Sequence, residues 1–554
     1  MRTLNAVRLY LTVCVCQVSL VSANAQLPQC SDQGKWSEQS FVPGSVVQLS
    51  TPLLLTDGRV MSQYVTGASS GNPWQDWYAL IPSRTGCYSL NATDCPGGQP
   101  ASWSQLATLA DFAPAAFASA VLPDGKVILE GGEFDQGMPA DIYVGALYDP
   151  TNNTWTDIAP PTGWWVIGDA PSVVLADGTF MLGNACGNYG GTGQTALFDE
   201  KTLSWNSMPQ PPEWTSEASF TLLPDNDVLF VGTCWPGQAA DNTCTTVSNR
   251  RNSEIYNPAL NEWTSAGNTP DKLYAYGNGF QESNSCSVGS PVFGEQGPAA
   301  LLPTGLYFAT GGFVQSANTV YTALYDPITE KWTATPDMPK VTVGTSTYTL
   351  SPEDEGSVVL PDGNYLIGTQ ARDNSGYLAN NGVYYIEWNG SSYCQLTNLP
   401  DGIPSAPEML TLPTGQILVM QVSWGWVYNY FIYTPKGTSF PGIEPQIVNP
   451  PATLYLGHTY EIKGRRFNGA TQSSFFGDDF QNATNYPLVR IAIGSDVYYL
   501  KTHNPSTMGV ATGLKIVSTS FDVPSVLPTG TGLLEVVTNG IPSKPVEVEV
   551  KHPL

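Results

Sequence analysis

The sequence contains few histidines and few basic residues. Its three histidines are His458, His503 and His552, and the long stretch 26–457 contains none. Lysine and arginine number 22 against 47 aspartates and glutamates, which gives a formal net charge of −25 at pH 7. Nucleic acids and anionic membranes are bound by basic surfaces. The charge balance therefore argues against both as partners.

Long hydrophobic runs are also missing, apart from one near the N-terminus. Arg2 and Arg8 accompany an apolar run over 9–21, and the small residues of 23–25 fit a cleavage pattern. The run is shorter than the roughly 20 residues that a membrane-spanning helix needs. We therefore expect residues 1–25 to be a signal peptide, with no membrane span. The protein should be secreted, or periplasmic if its host is a bacterium.

Cysteine is sparse for a chain of this length. Removal of the expected signal peptide takes Cys14 and Cys16 and leaves eight of the ten cysteines. An even number in an exported chain predicts disulfides, and the wide scatter does not fit a zinc site. The short loops favour the pairs Cys87–Cys95 and Cys234–Cys244. The partners of four cysteines stay open: Cys30, Cys186, Cys286 and Cys394.

Four Asn-X-Ser/Thr sequons occur, at Asn91, Asn152, Asn389 and Asn482. A chain of this composition has about this many by chance. They matter only if the export route attaches glycans, and on that condition we expect a glycoprotein.

Charged residues are also scarce, at 12% of the chain, whereas 54 glycines and 45 prolines indicate many turns and few long helices. One phrase recurs seven times: an apolar run, a Leu-Pro-Asp-Gly turn or a variant of it, and a second apolar run. Asp-Gly between such runs favours a tight β-hairpin. Each phrase therefore predicts two paired strands. The turn residues are Gly58, Gly125, Gly178, Asn226, Gly305, Gly363 and Gly415.

A second phrase follows in most repeats and predicts the outer hairpin of a four-stranded unit. It consists of Tyr-Asp-Pro, a few polar residues and an aromatic residue. The last repeat lacks this aromatic residue, and Trp36, far upstream, can supply it. We expect the N-terminal segment near Trp36 to form the outermost strand of the last unit, which would close a ring and remove exposed strand edges. The other aromatic positions are Trp103, Trp155, Trp205, Trp263, Trp332 and Tyr393.

These units resemble kelch repeats, and seven of them imply a seven-bladed β-propeller over residues 27–440. Beyond it, stretches such as "GLLEVVTNGIPSKPVEVEV" alternate strands with Gly/Pro turns and predict an immunoglobulin-like β-sandwich over 441–554. The order of the two domains resembles the galactose oxidase / glyoxal oxidase superfamily over nearly the whole mature chain. The expected fold class is therefore all-β.

The resemblance implies a copper-radical site, but the sequence lacks part of it. Oxidases of this family hold copper through two histidines and two tyrosines, and His503 in "YYLKTHNPSTMG" matches the histidine of the C-terminal domain. The second histidine follows a tyrosine shortly ahead of an inner strand, where the last repeat has Ser405 and Ala406. A copper-radical site needs imidazole and phenolate donors. We therefore expect no copper, and we predict no other resident cofactor.

Acidic residues recur shortly before the inner strands. In a propeller these segments lead to the strands beside the central channel, so the acids would gather at one mouth of the axis. His503 would join them if its loop enters as in the family. In one interpretation the acids cap strand entries or face solvent; in the other they bind Ca²⁺, Mg²⁺ or a cationic or polyhydroxyl ligand. They are Asp169, Glu217, Glu295, Asp354, Glu355 and Glu408.

Aromatic residues, including Trp165 and Trp214, crowd the same loops. They either pack between blades or stack on sugar rings. The sequence thus predicts a binding or interaction protein whose ligand, a carbohydrate or an extracellular protein, lies at the acidic mouth. Two alternatives stay open. One is an enzyme of another class that uses Glu217, Asp354 and His503 for proton transfer, and the other is a divergent carbohydrate or alcohol oxidase.

Overall fold

The computed structural model shows an almost entirely β-structured protein. It describes residues 27–31, 33–39, 49–65, 73–140, 142–168, 170–184, 194–212, 215, 218–232, 252–274, 296–353, 355–379, 382–397, 406–423, 426–474 and 482–553. The helices within these ranges are single 3₁₀ turns at Pro73–Gln75, Ala92–Asp94 and Pro96–Gly98. No helix in these ranges has the length and apolar character to span a membrane.

Seven antiparallel sheets of the described residues share a unit of four strands, and we number these sheets in chain order of their first strands. Strands of one sheet follow one another in the chain, except that the fourth strand of the seventh sheet comes from the N-terminal segment. The strands are, sheet by sheet, Leu49–Leu54, Val60–Tyr64, Trp77–Ile81, Ser102–Gln105; Ala118–Val121, Val127–Glu130, Gly145–Asp149, Thr154–Ile158; Ser172–Val174, Phe180–Gly183, Thr195–Asp199, Ser204–Ser207; Phe220–Leu222, Val228–Val231, Asn252–Asn257, Glu262–Asn268; Ala299–Leu301, Tyr307–Val314, Thr319–Asp326, Lys331–Ala334; Ser357–Val359, Tyr365–Arg372, Tyr384–Trp388, Tyr393–Gln395; and Ala406–Thr411, Ile417–Ser423, Trp426–Thr434, Lys35–Glu38.

Two smaller additions accompany these sheets. The hairpin Lys340–Val343 and Ser346–Ser351 extends the sixth sheet by pairing with the far part of its second strand. A separate three-stranded sheet consists of Pro114–Ala115, Phe134–Asp135 and Met138–Pro139.

The predicted tight turns join the first and second strands of all seven sheets. In the first turn, the Leu55 amide donates to the Arg59 carbonyl at 2.8 Å and the Gly58 amide donates to the Leu55 carbonyl at 3.0 Å; the other six repeat this pattern. The seven turn residues have φ values from 76°, at Asn226, to 93°, at Gly178. Glycine and asparagine adopt this left-handed region readily. The hairpin prediction is therefore confirmed.

The recurring aromatic residue of the fourth strand holds neighbouring sheets together. Trp155 lies opposite Tyr148 of the third strand, with 5.0 Å between ring centroids, and Trp332 lies opposite Tyr325 at 5.1 Å. The Trp155 indole N–H also donates to the Ala107 carbonyl, at 2.8 Å, in the segment that follows the first sheet. One side chain thus packs within its own sheet and bonds to the preceding one.

The first strands of the seven described sheets contact one another in cyclic order, and the seventh, Ala406–Thr411, contacts the first, Leu49–Leu54. Lys35–Glu38 completes the seventh sheet by pairing with Trp426–Thr434, where Trp36 lies opposite Tyr433. A cyclic set of small antiparallel sheets is consistent with a β-propeller.

Two further sheets lie near the C-terminus and pack on a common core. One contains Gln446–Val448, Thr459–Arg465, Val517–Asp522 and Thr502–His503; the other contains Thr453–Tyr455, Val546–Lys551, Gly530–Thr538, Leu488–Ile493, Asp496–Leu500 and Ile541–Pro542. Buried side chains from both sheets, such as Ile462, Phe521, Val489 and Val548, form that core.

A segment of this C-terminal region enters the cyclic set. We call residues 468–474 and 482–486 the insertion segment. Ser474 donates from Oγ to the carbonyls of Ser357, at 2.9 Å, and Met409, at 2.7 Å, and Asn482 Nδ2 also donates to the Met409 carbonyl at 2.7 Å. First strands are sheet edges, whose outward backbone groups need partners. The insertion segment supplies several of them.

Two disulfides occur among the described cysteines. Cys87–Cys95 is the short-loop pair that the sequence predicts. Cys30–Cys394, whose partners the sequence left open, joins the N-terminal segment to the fourth strand of the sixth sheet. Cys186, Cys234, Cys244 and Cys286 lie outside the described residues, so the pair Cys234–Cys244 stays a prediction.

Candidate functional site

Each of the seven sheets has two ends. The turn end carries the tight turns between first and second strands, and the entry end is where first strands begin and second strands finish. The sequence places its acidic candidates at the entry end. Of these, Glu355 and Glu408 are described, whereas four acids and one aromatic candidate lie outside the described residues: Asp169, Glu217, Glu295, Asp354 and Trp214.

Glu408 connects the seventh sheet to the first. It lies in the first strand Ala406–Thr411, is 6% exposed, and its carboxyl group accepts a hydrogen bond from the Thr51 backbone N–H. Burial raises the pKa of Glu408 to about 8, and the Thr51 hydrogen bond only partly opposes this rise. Glu408 is therefore a buried carboxyl that is mostly protonated at neutral pH.

Two further carboxylates stand just ahead of the sixth sheet. Glu353 accepts a hydrogen bond from the Phe313 backbone N–H of the fifth sheet, and its carboxylate also pairs with Arg372 Nε at 2.5 Å. Glu355 is fully buried and accepts from Gln370 Nε2. Together with Glu408, these carboxylates support the structural interpretation, because each binds a neighbouring strand.

Glu130 is a fourth entry-end carboxyl, which the sequence reasoning missed. It ends the second strand of the second sheet and is fully buried, and neither carboxyl oxygen has a hydrogen-bond partner among the described residues. Burial holds the pKa of Glu130 well above the ordinary glutamate range. The sequence signal was present in "VILEGG", where a glutamate directly follows an apolar run and precedes two glycines.

The aromatic candidate Trp165 is accessible at this end. Trp165 is 42% exposed, whereas its neighbour Trp164 is 9% exposed. The loop that precedes the third sheet is fixed by hydrogen bonds from the Ile167 and Gly168 amides to the Ile142 carbonyl, at 3.0 and 2.9 Å. Tyr143, next to Ile142, is 50% exposed. Two exposed aromatic residues are thus carried by hydrogen-bonded segments of neighbouring sheets.

His503 occupies a different place from the one that the family resemblance implied. Its imidazole Nε2 lies 3.3 Å from Asp522 Oδ1, and its Nδ1 lies 2.9 Å from Asn504 Nδ2. The backbone next to His503 contacts the tight turn of the first sheet, because the Thr502 amide donates to the Thr56 carbonyl at 3.1 Å. His503 therefore belongs to the turn end, away from Glu408. The reason is that the insertion segment, rather than the segment around His503, enters the cyclic set.

The available donors do not fit the copper site that the resemblance implies. Residues 26–457 contain no imidazole, and the one family-matched histidine, His503, is bonded to Asp522 at the turn end. Two cysteines and one glutamate among the described residues, Cys30, Cys394 and Glu387, lie close enough together to hold a metal ion. The two sulfurs are already joined in a disulfide.

One comparison with known proteins gives a kelch-like relative. No protein-family model matches the chain. It is 24% identical over 336 residues to the kelch-like protein terF of Aspergillus terreus, which covers 52% of this chain and 70% of that protein. It is also similar to a solved structure described as a fungal alcohol oxidase of the AA5 family in complex with copper, with a TM-score of 0.47, 13% identity, and coverage of 94% of this chain and 100% of that chain. The chain is thus similar in sequence to a kelch-like protein, and its described residues are almost entirely β-structured.

Proposed function

We propose that the protein is an exported binding protein whose ligand, a carbohydrate, stacks on Trp165 and Tyr143 at the entry end of the sheets. The observation that carries this proposal is the exposure of Trp165, 42%, beside a buried Trp164. Aromatic faces suit sugar rings because they offer a large apolar area at a low cost in side-chain entropy. The acidic, histidine-poor chain offers no donor set for the copper-radical chemistry of the family it resembles.

The proposal includes the domain organisation that the sequence predicts. The seven sheets over 27–440 are the blades of a kelch propeller, and the two C-terminal sheets over 441–554 form an immunoglobulin-like domain. The cyclic contacts of the first strands and the common core of the C-terminal sheets support this division. Export is supported by the two disulfides, because such bonds persist in oxidising compartments.

A glycan array followed by calorimetry on the best ligand tests the binding proposal. Trp165→Ala and Tyr143→Ala should each weaken the binding of that ligand by about tenfold, which corresponds to about 1.4 kcal/mol of binding free energy. Tyr377→Ala is the matched control, because Tyr377 is also an exposed aromatic residue, at 66%, but lies in a loop of the sixth sheet. The proposal fails if no glycan binds, or if the Trp165 and control variants bind alike.

Metal analysis of the purified protein tests the alternative that it is a copper-radical oxidase. We expect no stoichiometric copper, and a copper-loaded protein with a tyrosyl radical spectrum would establish an oxidase instead. Addition of Ca²⁺ in a thermal-shift assay tests the cation site predicted from the entry-end acids. The described acids Glu355 and Glu408 are buried and hydrogen-bonded. A Ca²⁺ response would therefore point to Asp169, Glu217, Glu295 and Asp354.

A further inference from the structure

We propose that Asn152 and Asn389 carry N-linked glycans in the exported protein, whereas Asn91 and Asn482 do not. This inference rests on the proposed export, through a route that glycosylates. The donor is a lipid-pyrophosphate-linked oligosaccharide. A bond forms between the asparagine Nδ2 and the C1 atom of the first sugar, the bond from C1 to the pyrophosphate oxygen breaks, and the amide loses one of its two protons. The modified asparagine therefore keeps one N–H and its carbonyl oxygen.

Asn389 is suited to this modification. It is exposed in the hairpin turn between Tyr384–Trp388 and Tyr393–Gln395, and the hydroxyl residue of its sequon, Ser391, is exposed as well. The Asn389 Oδ1 atom accepts hydrogen bonds from the Ser391 amide at 3.1 Å, from the Ser391 hydroxyl at 2.9 Å and from the Ser392 amide at 3.0 Å. These bonds use the oxygen, so a glycan on the nitrogen leaves them intact.

Asn152 occupies the corresponding turn of the second sheet, between Gly145–Asp149 and Thr154–Ile158. Asn152 and its sequon threonine, Thr154, are both exposed. Its Nδ2 donates one hydrogen bond, to Asp149 Oδ2 at 2.8 Å. A secondary amide keeps one N–H, so the turn can retain this bond after modification.

Asn482 has the opposite environment. It is 3% exposed in the insertion segment, its Nδ2 donates to the Met409 carbonyl at 2.7 Å, and the threonine of its sequon, Thr484, is 1% exposed. A glycan there would have to occupy the interior of the cyclic set. Folded protein should therefore contain Asn482 unmodified.

Asn91 is constrained by its hydrogen bonds. It is half-buried beside the Cys87–Cys95 disulfide, and its Nδ2 donates to the Glu38 carbonyl at 2.7 Å and approaches Asp94 Oδ2 at 3.4 Å. Loss of one amide proton would remove one of these two contacts. The bond to Glu38 also ties this loop to the N-terminal strand Lys35–Glu38. We therefore assign Asn91 to the unmodified sites.

The two proposed glycans lie away from the candidate ligand site. The strands Gly145–Asp149 and Tyr384–Trp388 run from the entry end to the turn end, so Asn152 and Asn389 are at the turn end. Trp165 lies at the entry end. Enzymatic removal of the glycans should therefore leave carbohydrate binding unchanged.

Peptide mapping of the full chain tests the assignment. The protein is secreted from a eukaryotic host, once with its own N-terminus and once behind a heterologous signal peptide. Deglycosylation in ¹⁸O water then converts each glycosylated asparagine into a labelled aspartate. We expect label on most copies at Asn152 and Asn389 and on few or none at Asn91 and Asn482. Thr154→Ala and Ser391→Ala should each remove one glycan-sized step in gel mobility.

The two parts of the proposal fail separately. If only the heterologous signal peptide gives secreted protein, the export proposal is wrong, but the glycan pattern is still measured. Full label at Asn482 or Asn91 in folded protein would overturn the assignment, as would unlabelled Asn152 and Asn389. Because mapping uses the unsubstituted chain, a variant that does not fold cannot obscure the result.

Discussion

The carboxyl group of Glu408, in the first strand of the seventh sheet, accepts a hydrogen bond from the backbone N–H of Thr51 in the first sheet. The two residues are 357 positions apart in the chain, yet their strands are neighbours. The bond therefore lies where the last sheet meets the first. Substitution of Glu408 therefore tests how much this contact between the last and the first sheet stabilises the protein.

Glu408→Ala should destabilise the protein by about 1–3 kcal/mol, because it leaves the buried Thr51 N–H without its acceptor. Glu408→Gln should lose less, since the amide oxygen can accept the same bond. Urea unfolding of both variants measures the difference. Glu262→Ala, on an exposed fourth strand, is the surface control and should stay within about 0.5 kcal/mol of the parent.

Stability should fall as pH rises from about 4.5 to about 8. The folded-state pKa of Glu408 is raised to about 8, and that of Glu130 is raised in the same direction, whereas an unfolded glutamate titrates near 4.3. Between these pH values the unfolded chain releases protons that the folded chain keeps. The stabilisation that the two protonated glutamates provide at low pH is therefore lost as the pH rises. Thermal unfolding from pH 4 to 9 should show this slope.

The variants Glu408→Gln and Glu130→Gln measure how much each of these buried glutamates contributes to that slope. Each removes one titrating carboxyl while keeping its shape, so each should flatten the fall in melting temperature between pH 4.5 and 8. A parent protein whose stability rises across this window would contradict the assignment. So would two variants that retain the full slope.

The local features of the fold were predictable because short segments determine them. The Asp-Gly turns and their variants require left-handed backbone, and Gly58 and Asn226 adopt it with φ of 81° and 76°. In four sheets the fourth-strand tryptophan follows an aromatic residue of the third strand by seven positions and packs on it, as Trp155 does on Tyr148. The kelch resemblance followed from these repeats.

Contacts between distant segments were not predictable. No local pattern indicates that Ser474 and Asn482 bond to the Met409 carbonyl, and the resemblance drew attention to His503 instead. The sequence alone could not distinguish a solvent-facing acidic residue from Glu408, which is buried and accepts a hydrogen bond from the distant Thr51 N–H. The exposure of Trp165 beside a buried Trp164 likewise depends on how the preceding loop is held.

The two described disulfides should contribute unequally to stability. Cys30 and Cys394 are 364 residues apart, whereas Cys87 and Cys95 are 8 apart. A longer closed loop loses more chain entropy on cross-linking. The double variant Cys30→Ala/Cys394→Ala should therefore lose about 2–4 kcal/mol of unfolding free energy. The double variant Cys87→Ala/Cys95→Ala should lose less. Urea unfolding under oxidising conditions compares them, and the reverse order would show that local packing outweighs loop length.

Gly145 and Glu130 lie so close together that a side chain at position 145 would collide with the Glu130 carboxyl group. They lie opposite each other on neighbouring strands of the second sheet, and a Cβ atom added at Gly145 would lie 2.2 Å from Glu130 Cδ. Because Glu130 is fully buried, its carboxyl has little room to move. Gly145→Ala should therefore destabilise the protein by about 1–3 kcal/mol.

A double-mutant cycle isolates this contact, because residues that touch give non-additive effects. Glu130→Ala removes the carboxyl that the new methyl group would meet, so Gly145→Ala should cost little in the Glu130→Ala background. The free energy of unfolding is measured for the parent, both single variants and the double variant. Additive losses would show that Glu130 does not confine position 145, and that the glycine is required for another reason, such as backbone conformation.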